Sequence, residues 1–232
     1  MSDCFCKGME EELMIIKSLI LIMTAIPFAL GAVWFGDYYE TKEFCSLKQI
    51  LKTKKISCTV FLAVYIAISL LIVFTYFYKE NLFFSSLKYL IFEYALFLTA
   101  AIDFKQKKIP NSLILFIMAE RIIFFIPEFI IYPDEIISLL ISSFTGMFVC
   151  GMIMLICRVI SRKGIGAGDV KLFAAAGFMT NLYGAVNILF YSLFIASLVS
   201  IFLLLFKRAK ANSTVPMAPF IFFGTTFYII FM

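Results

Sequence analysis

The sequence contains no histidine. This absence excludes His-based general bases, zinc sites of the His-Glu-x-x-His type and nucleophiles paired with histidine. None of its six cysteines lies in a Cys-x-x-Cys pair, so a structural zinc site has little support. Any chemistry must therefore use carboxylates, lysines, cysteines, hydroxyl groups or the backbone, and we expect neither a metal nor a cofactor.

Charged residues are also scarce, at 15% of the 232 residues, whereas 63% are hydrophobic. A soluble domain of this size does not need so many apolar side chains, so the composition indicates a polytopic membrane protein without a large extramembrane domain. We predict an all-α integral membrane protein with about eight transmembrane helices. The predicted spans cover residues 13–36, 59–78, 83–102, 111–131, 136–157, 169–181 and 185–206, and the run from Val215 onward.

The positions of the positive charges predict the orientation of the chain. Four loops on one side, residues 37–58, 103–110, 158–171 and 207–210, hold 15 of the 20 lysines and arginines. The positive-inside rule therefore predicts that these loops face the cytoplasm and that both termini lie outside, in a protein of the cell membrane. This topology explains the net charge of +5, which gives no indication of a nucleic-acid partner.

One polar stretch interrupts the apolar pattern, the run Gly164-Ile165-Gly166-Ala167-Gly168-Asp169-Val170-Lys171. Glycines let a backbone bend sharply or approach another group closely. An aspartate at a helix start is commonly an N-cap, which is one interpretation of Asp169. A second aspartate, Asp103, ends the third predicted span on the same side of the membrane. This match favours a shared role for the two aspartates.

The span that follows Asp169 is short for a membrane helix, since about fourteen residues at ~1.5 Å each cover ~21 Å of a ~30 Å core. Asp169 would then start below the membrane surface, in a cleft with the glycine loop. Two carboxyl groups that face each other in a cleft share one proton and can activate a water, as in an aspartic protease. On the hypothesis that they meet, Asp103 and Asp169 are a catalytic pair. The positive charge of Lys171 would then favour the ionised form of that pair.

Two separated motifs together resemble a known family. Asp103 with Ile109-Pro110-Asn111, and then Gly166-Ala167-Gly168-Asp169-Val170-Lys171-Leu172, are similar to the type IV prepilin peptidase family of membrane aspartyl proteases. Near the C-terminus, Pro216-Met217-Ala218-Pro219-Phe220 resembles the Pro-Phe-Gly-Pro-Phe element of that family. Met217 and Ala218 replace the usual Phe and Gly there, and no site role is carried onto these two.

The resemblance covers about residues 83–232 and implies a six-helix peptidase core there. Residues 1–82 are then a two-helix extension with a basic cytoplasmic loop. The implied reaction is removal of the leader peptide from prepilin-like precursors (type IV pilins, pseudopilins or competence pilins) at the cytoplasmic face, next to the lipid bilayer. The implied site residues are the catalytic Asp103 and Asp169, the supporting Gly166, Gly168 and Lys171, and the helix start at Pro110 and Asn111.

Methylation of the product is in doubt. Larger bacterial members of the family carry paired Cys-x-x-Cys motifs in a cytoplasmic loop, and many also methylate the new N-terminus. In this chain the corresponding loop has only Cys45 and Cys58.

Other interpretations stay open. A small transporter that binds cations with the two aspartates at broken helices is one alternative. A non-catalytic assembly partner and an intramembrane protease with another substrate are the others. Away from the aspartates, Glu93 and Arg121 reach a similar depth, ~15 Å from the cytoplasmic helix ends, and predict a structural ion pair with Glu120 as the competing partner.

Overall fold

A computed structural model of the chain describes residues 83–161, 164–206 and 215–231. Within these ranges the structure is all-helical and contains no strand. The first two predicted spans and the loops 37–58 and 207–210 lie outside the described residues, so the eight-helix count stays a prediction.

The described residues form a succession of helices. Their bounds are α1 (Phe83–Gln106), α2 (Asn111–Ile131), α3 (Ile136–Ile160), α4 (Ala167–Leu205) and α5 (Ala218–Phe231). The bounds of α2 agree with the predicted span, and Pro110 is its N-cap residue, with φ −67° and ψ 129°. This φ is the value that the proline ring fixes, so Pro110 is suited to the start of α2.

The long helix α4 contains two predicted spans in succession. Its backbone is not helical at Asn181, where φ is 64° and ψ is 178°. This break separates residues 167–180 from residues 182–205 and lies where the sequence predicts the end of the sixth span. The backbone conformation at the break is one that residues other than glycine adopt only when their surroundings hold them there.

Residues 95–232 form one compact unit and residues 1–94 another, and the packing described here is that of the first. In this unit α4 packs against α2, α3 and α5. Glycines bring α3 and α4 close, because a Cβ added to Gly146 would lie only 2.6 Å from the carbonyl oxygen of Gly177. The predicted division of the chain into residues 1–82 and 83–232 stays a prediction.

Two of the described helices, α3 and α4, are long and apolar enough to cross a membrane, with mean hydropathies of 2.2 and 2.6 over their most apolar windows. Large apolar side chains are exposed along both helices, which soluble proteins avoid over such lengths. Examples are Phe144, Phe148, Ile156, Phe190, Phe194 and Leu198. This pattern is consistent with the predicted membrane class.

Candidate active site

Asp103 lies in the last turn of α1, and the beginning of α5 fixes its side chain. Its carboxyl Oδ2 accepts the backbone N–H of Ala218 at 3.0 Å. The first N–H groups of a helix have no acceptor within the helix. Asp103 supplies an acceptor for α5. This hydrogen bond joins the end of α1 to the start of α5, which are far apart in the sequence.

The chain turns immediately after Asp103 and leads into α2. Lys107 has a φ of 52°, and its N–H donates to the carbonyl oxygen of Asp103 at 2.8 Å. A left-handed residue of this kind commonly ends a helix. The ammonium charge of Lys107 also acts on the Asp103 carboxyl group, so the turn that ends α1 adds a positive charge to the site.

Asp169 is the third residue of α4, and Gly166 is the N-cap residue, with φ −66° and ψ 149°. The interpretation of Asp169 as the N-cap is therefore wrong by three positions. Its Oδ2 instead accepts the N–H of Gly166 at 3.0 Å. This bond, from the N-cap backbone N–H to a carboxylate three residues later, is one of the two hydrogen bonds of a capping box. A Cβ on Gly166 would lie 2.9 Å from Asp169 Oδ2, so a larger residue there would displace the carboxyl group.

The structure brings the two aspartates together. Asp103 at the end of α1 and Asp169 at the start of α4 are close enough for their charges to interact. Arg158, near the end of α3, adds a positive charge that acts on Asp169. Three helix ends therefore meet at this site, and the fourth contribution is the start of α5.

The residues that the sequence predicts to support the aspartates also meet. A Cβ added to Gly168 would lie 3.0 Å from Ile109 Cβ, so the turn before α2 rests directly on the first turn of α4. Lys171 Nζ donates to Asn111 Oδ1 at 3.3 Å, one turn further along. These two contacts fix the spacing of the segments that carry the aspartates. The predicted influence of Lys171 on their charge stays a prediction.

Arg121 lies in a different place, at the break in α4. Its side chain is 0% exposed, and Nη1 pairs with Glu128 Oε1 at 2.7 Å. Nη2 donates to Ser143 Oγ at 2.9 Å and to Asn181 Oδ1 at 3.3 Å. We call these four residues the Arg121 cluster. Its side chains connect α2, α3 and the break, and they explain how the unusual backbone of Asn181 is held.

The partner Glu128 was not predicted from the sequence. It follows Arg121 by seven residues on α2, and this spacing places both residues on one face of the helix. The spacing of seven residues could have indicated this pair. The prediction from the sequence instead compared the depths of charged residues on neighbouring helices, and such a comparison does not consider a partner on the same helix. Glu93 is buried, and its pairing with Arg121 stays a prediction.

The contribution of Ala218 was also missed, because it comes from the backbone N–H and not from the side chain. In the described ranges, no group of three or more Cys, Asp or Glu residues is arranged to hold a metal ion. What the site offers chemically is a pair of neighbouring carboxyl groups, each oriented by backbone N–H groups.

Sequence comparisons relate the chain to known proteins. A sequence model of the type IV leader peptidase family matches residues 90–205, half of the chain, and this range contains both aspartates. The prepilin leader peptidase/N-methyltransferase of Bacillus subtilis (strain 168) is 29% identical over 138 residues. The alignment covers 58% of this chain and 52% of the relative, so the chain matches about half of the relative's length. No solved structure matches the chain.

Proposed function

We propose that this chain, which belongs to the type IV leader peptidase family, is a membrane aspartic endopeptidase that removes leader peptides from prepilin-like precursors at the cytoplasmic face. The observation that carries the proposal is the meeting of Asp103, at the end of α1, and Asp169, at the start of α4. Backbone N–H groups orient both carboxyl groups without neutralising them. Such a pair has the arrangement that acid–base catalysis by two carboxyl groups needs.

In the proposed mechanism, one carboxyl group of the pair is ionised and the other is protonated, because two neighbouring carboxylates do not both ionise readily. The ionised group takes a proton from a water, whose oxygen bonds to the carbonyl carbon of the scissile peptide. The protonated group gives its proton to the carbonyl oxygen. When the C–N bond breaks, the amine nitrogen receives the proton taken from water, and the hydroxyl group returns the other one.

The substrate is proposed to approach from two directions. Its leader enters from the cytoplasm. The positive-inside rule predicts that the end of α1 and the start of α4 lie on that side. Its apolar helix lies in the bilayer beside the enzyme. The exposed apolar faces of α3 and α4 support the second part, since lipid or a lipid-embedded segment would cover them.

The family match favours a peptidase over a transporter that would use the same aspartates for cations. The name of the Bacillus subtilis relative also includes N-methyltransferase. We do not extend methylation to this chain, because its sequence has no Cys-x-x-Cys pair and the alignment covers only 52% of that relative.

Co-expression of the full chain with prepilin-like precursors tests the proposal. Wild type is expected to shorten the precursor on a gel, whereas Asp103→Asn and Asp169→Asn, expressed at the same level, are expected to leave it uncut. Asp134→Asn, in the exposed turn between α2 and α3, is the matched control and should cleave normally. Cleavage by either site variant at the wild-type rate, or no cleavage of several precursors by wild type, would contradict the proposal. The mass of the product reports any methyl group.

A further inference from the structure

The short helix α5 lies against the two helices that carry the aspartates, α1 and α4. On the α1 side, the N–H of Ala218 donates to Asp103 Oδ2 at 3.0 Å, and the ring centroids of Phe97 and Phe222 lie 5.7 Å apart. On the other side, α5 packs against α4. The family match ends at residue 205, before α5 begins, so it assigns no role to this helix.

The first turn of α5 leaves one N–H group without an acceptor inside the helix. The N–H groups of Phe220 and Ile221 donate to the carbonyl oxygen of Met217, at 3.0 Å and 3.2 Å. Pro219 has no N–H. The N–H of Ala218 is therefore the donor that needs an acceptor from elsewhere. Ala218 is 0% exposed, so this acceptor has to come from the protein, and the carboxyl group at the end of α1 supplies it.

Gly224 lets α5 lie directly on the backbone of α4. A Cβ added to Gly224 would lie 2.8 Å from the backbone nitrogen of Ser192 and 3.1 Å from the carbonyl oxygen of Ile188, and it would also meet the Ser192 hydroxyl group. That hydroxyl group donates to the carbonyl oxygen of Ile188 at 2.6 Å. Backbone atoms inside a helix cannot turn aside as the end of a side chain can, so a larger residue at 224 would push the two helices apart.

The contact at Gly224 and the bond at Ala218 are six residues apart on one helix, or ~9 Å along its axis. A displacement of α5 at Gly224 therefore also moves the N–H of Ala218 relative to Asp103. A hydrogen bond is lost at a separation of about 3.6 Å. A displacement of roughly 0.6 Å away from Asp103 is thus enough to break this bond.

We infer that Ala218 and Gly224 are positioning residues for the catalytic Asp103, an assignment that rests on the proposed peptidase function. Gly224 sets how close α5 lies to α4, and the N–H of Ala218 then holds the Asp103 carboxyl group in its orientation beside Asp169. Both residues act through Asp103. Because small displacements of catalytic groups are costly, loss of the bond should lower kcat and leave KM nearly unchanged.

Replacing the amide between Met217 and Ala218 by an ester tests the bond itself. Nonsense suppression with lactic acid at position 218 of the full-length chain keeps the methyl group and replaces the N–H by oxygen. The kcat of leader cleavage should fall about tenfold, with KM nearly unchanged.

The matched control is an ester at Phe223, made with phenyllactic acid. Phe223 is an exposed residue of α5, so this ester removes an N–H from the same helix and keeps the donor to Asp103. It should cleave at nearly the wild-type rate. The inference would be overturned if the ester at 218 cleaved as fast as the ester at 223.

Gly224→Ala tests whether the contact with α4 acts through the same bond. By itself it should lower kcat about tenfold or more. Combined with the ester at 218 it should be no slower than Gly224→Ala alone, because the bond can be lost only once. Losses that multiply would overturn the role of Gly224.

Ile229→Ala is the control for a general loss of packing in α5. Ile229 is 2% exposed and lies eleven residues beyond Ala218, near the other end of the helix. The cavity should lower the unfolding temperature and leave kcat unchanged. If Ile229→Ala lowered kcat as much as Gly224→Ala, any loosening of α5 would be sufficient, which would also overturn the role of Gly224.

A double-mutant cycle on stability tests the bond without cleavage. The ester at 218 should lower the unfolding temperature of the wild-type protein in detergent. In Asp103→Ala the same ester should cost nothing, because the acceptor is already absent. Equal losses in the two backgrounds would overturn the inference. Failure of wild type to cleave any of several precursors would reject the proposed function, while this cycle would still decide whether Ala218 holds Asp103.

Discussion

Two polar regions lie along α4, and they hold buried charge in different ways. At the first turn of the helix, Asp103 and Asp169 are oriented by backbone N–H groups. At the break, Arg121 is neutralised by Glu128 and bonded to Ser143 and Asn181. Backbone donors orient a carboxyl group without supplying a counter-ion, so its proton can still move. A charge paired with an opposite charge is fixed, which suits a structural role.

On the proposed function, the first region serves catalysis and the second serves stability. Substitutions in the two regions should therefore affect different measurements. Changes in the Arg121 cluster should lower the stability of the folded protein, whereas changes at the aspartates should lower cleavage and leave stability nearly unaffected.

The largest effect on stability is expected for Arg121→Leu. This change breaks the ion pair between the fully buried Arg121 and the part-buried Glu128, and breaking a buried pair costs up to about 3–5 kcal/mol. The double variant Arg121→Leu/Glu128→Leu removes both charges and should recover much of the loss. Thermal unfolding of the purified protein in detergent measures both. Wild-type stability of Arg121→Leu would show that the Arg121 cluster does not stabilise the fold.

Two substitutions of Asn181 distinguish the contribution of its hydrogen bonds to stability from that of the backbone conformation at the break. Asn181→Ala loses the bonds to Arg121 and Ser143 and places alanine at a φ of 64°, where a side chain is strained. Asn181→Gly loses the same bonds without the strain. We expect Asn181→Gly to be more stable than Asn181→Ala by about 1–3 kcal/mol. Equal unfolding temperatures would mean that the break is not held at this conformation.

Gly168→Ala tests whether the turn before α2 sets the position of Asp169. The added methyl group meets Ile109 Cβ at 3.0 Å and should destabilise the fold by about 1 kcal/mol. Leader cleavage should fall about tenfold or more, because small displacements of catalytic groups are costly. Adding Ile109→Gly, which removes the Cβ that the new methyl group meets, should restore cleavage.

Gly151→Ala is the matched glycine control, since its nearest contact is the Ala174 Cβ at an ordinary 3.4 Å. It should leave cleavage unchanged. If Gly168→Ala cleaves as fast as Gly151→Ala, the contact with Ile109 does not position the site.

The smallest effect is expected for Lys171→Met. The bond from Lys171 to Asn111 is 3.3 Å long and exposed, so its loss should change stability by less than about 0.5 kcal/mol. If Lys171 also favours the ionised pair, the acid limb of the pH–rate profile should move up by about half a pH unit or less. A large loss of stability would contradict the assignment of Lys171 to the margin of the site.

Much of this arrangement could be predicted from the sequence, because apolar runs and charged breaks define membrane helices. The bounds of α2, the break near Asn181 and the placing of both aspartates at the same side of the bundle follow from counting spans. The family match confirms the resemblance that the motifs around Asp103 and Asp169 indicate.

The role of α5 could not be predicted, for a physical reason. Its contact with Asp103 is made by the backbone N–H of Ala218, a group that every residue except proline carries. Ala218 can therefore replace Gly without removing the donor, and its side chain gives no signal. The family match also ends at residue 205, before α5 begins. The Glu128 partner of Arg121 escaped prediction because several carboxylates compete for one arginine.

The cleavage rates of Asp103→Asn, Asp169→Asn and the double variant test most directly whether the two aspartates form one catalytic unit. With a purified prepilin-like precursor, each single change should lower the rate by about 10²–10⁴-fold. The double variant should be no slower than the slower single variant. If the two aspartates act as one unit, the loss of either one already disables that unit, and a second substitution removes nothing more. A single variant that cleaves at the wild-type rate, or losses that multiply in the double variant, would contradict the catalytic pair.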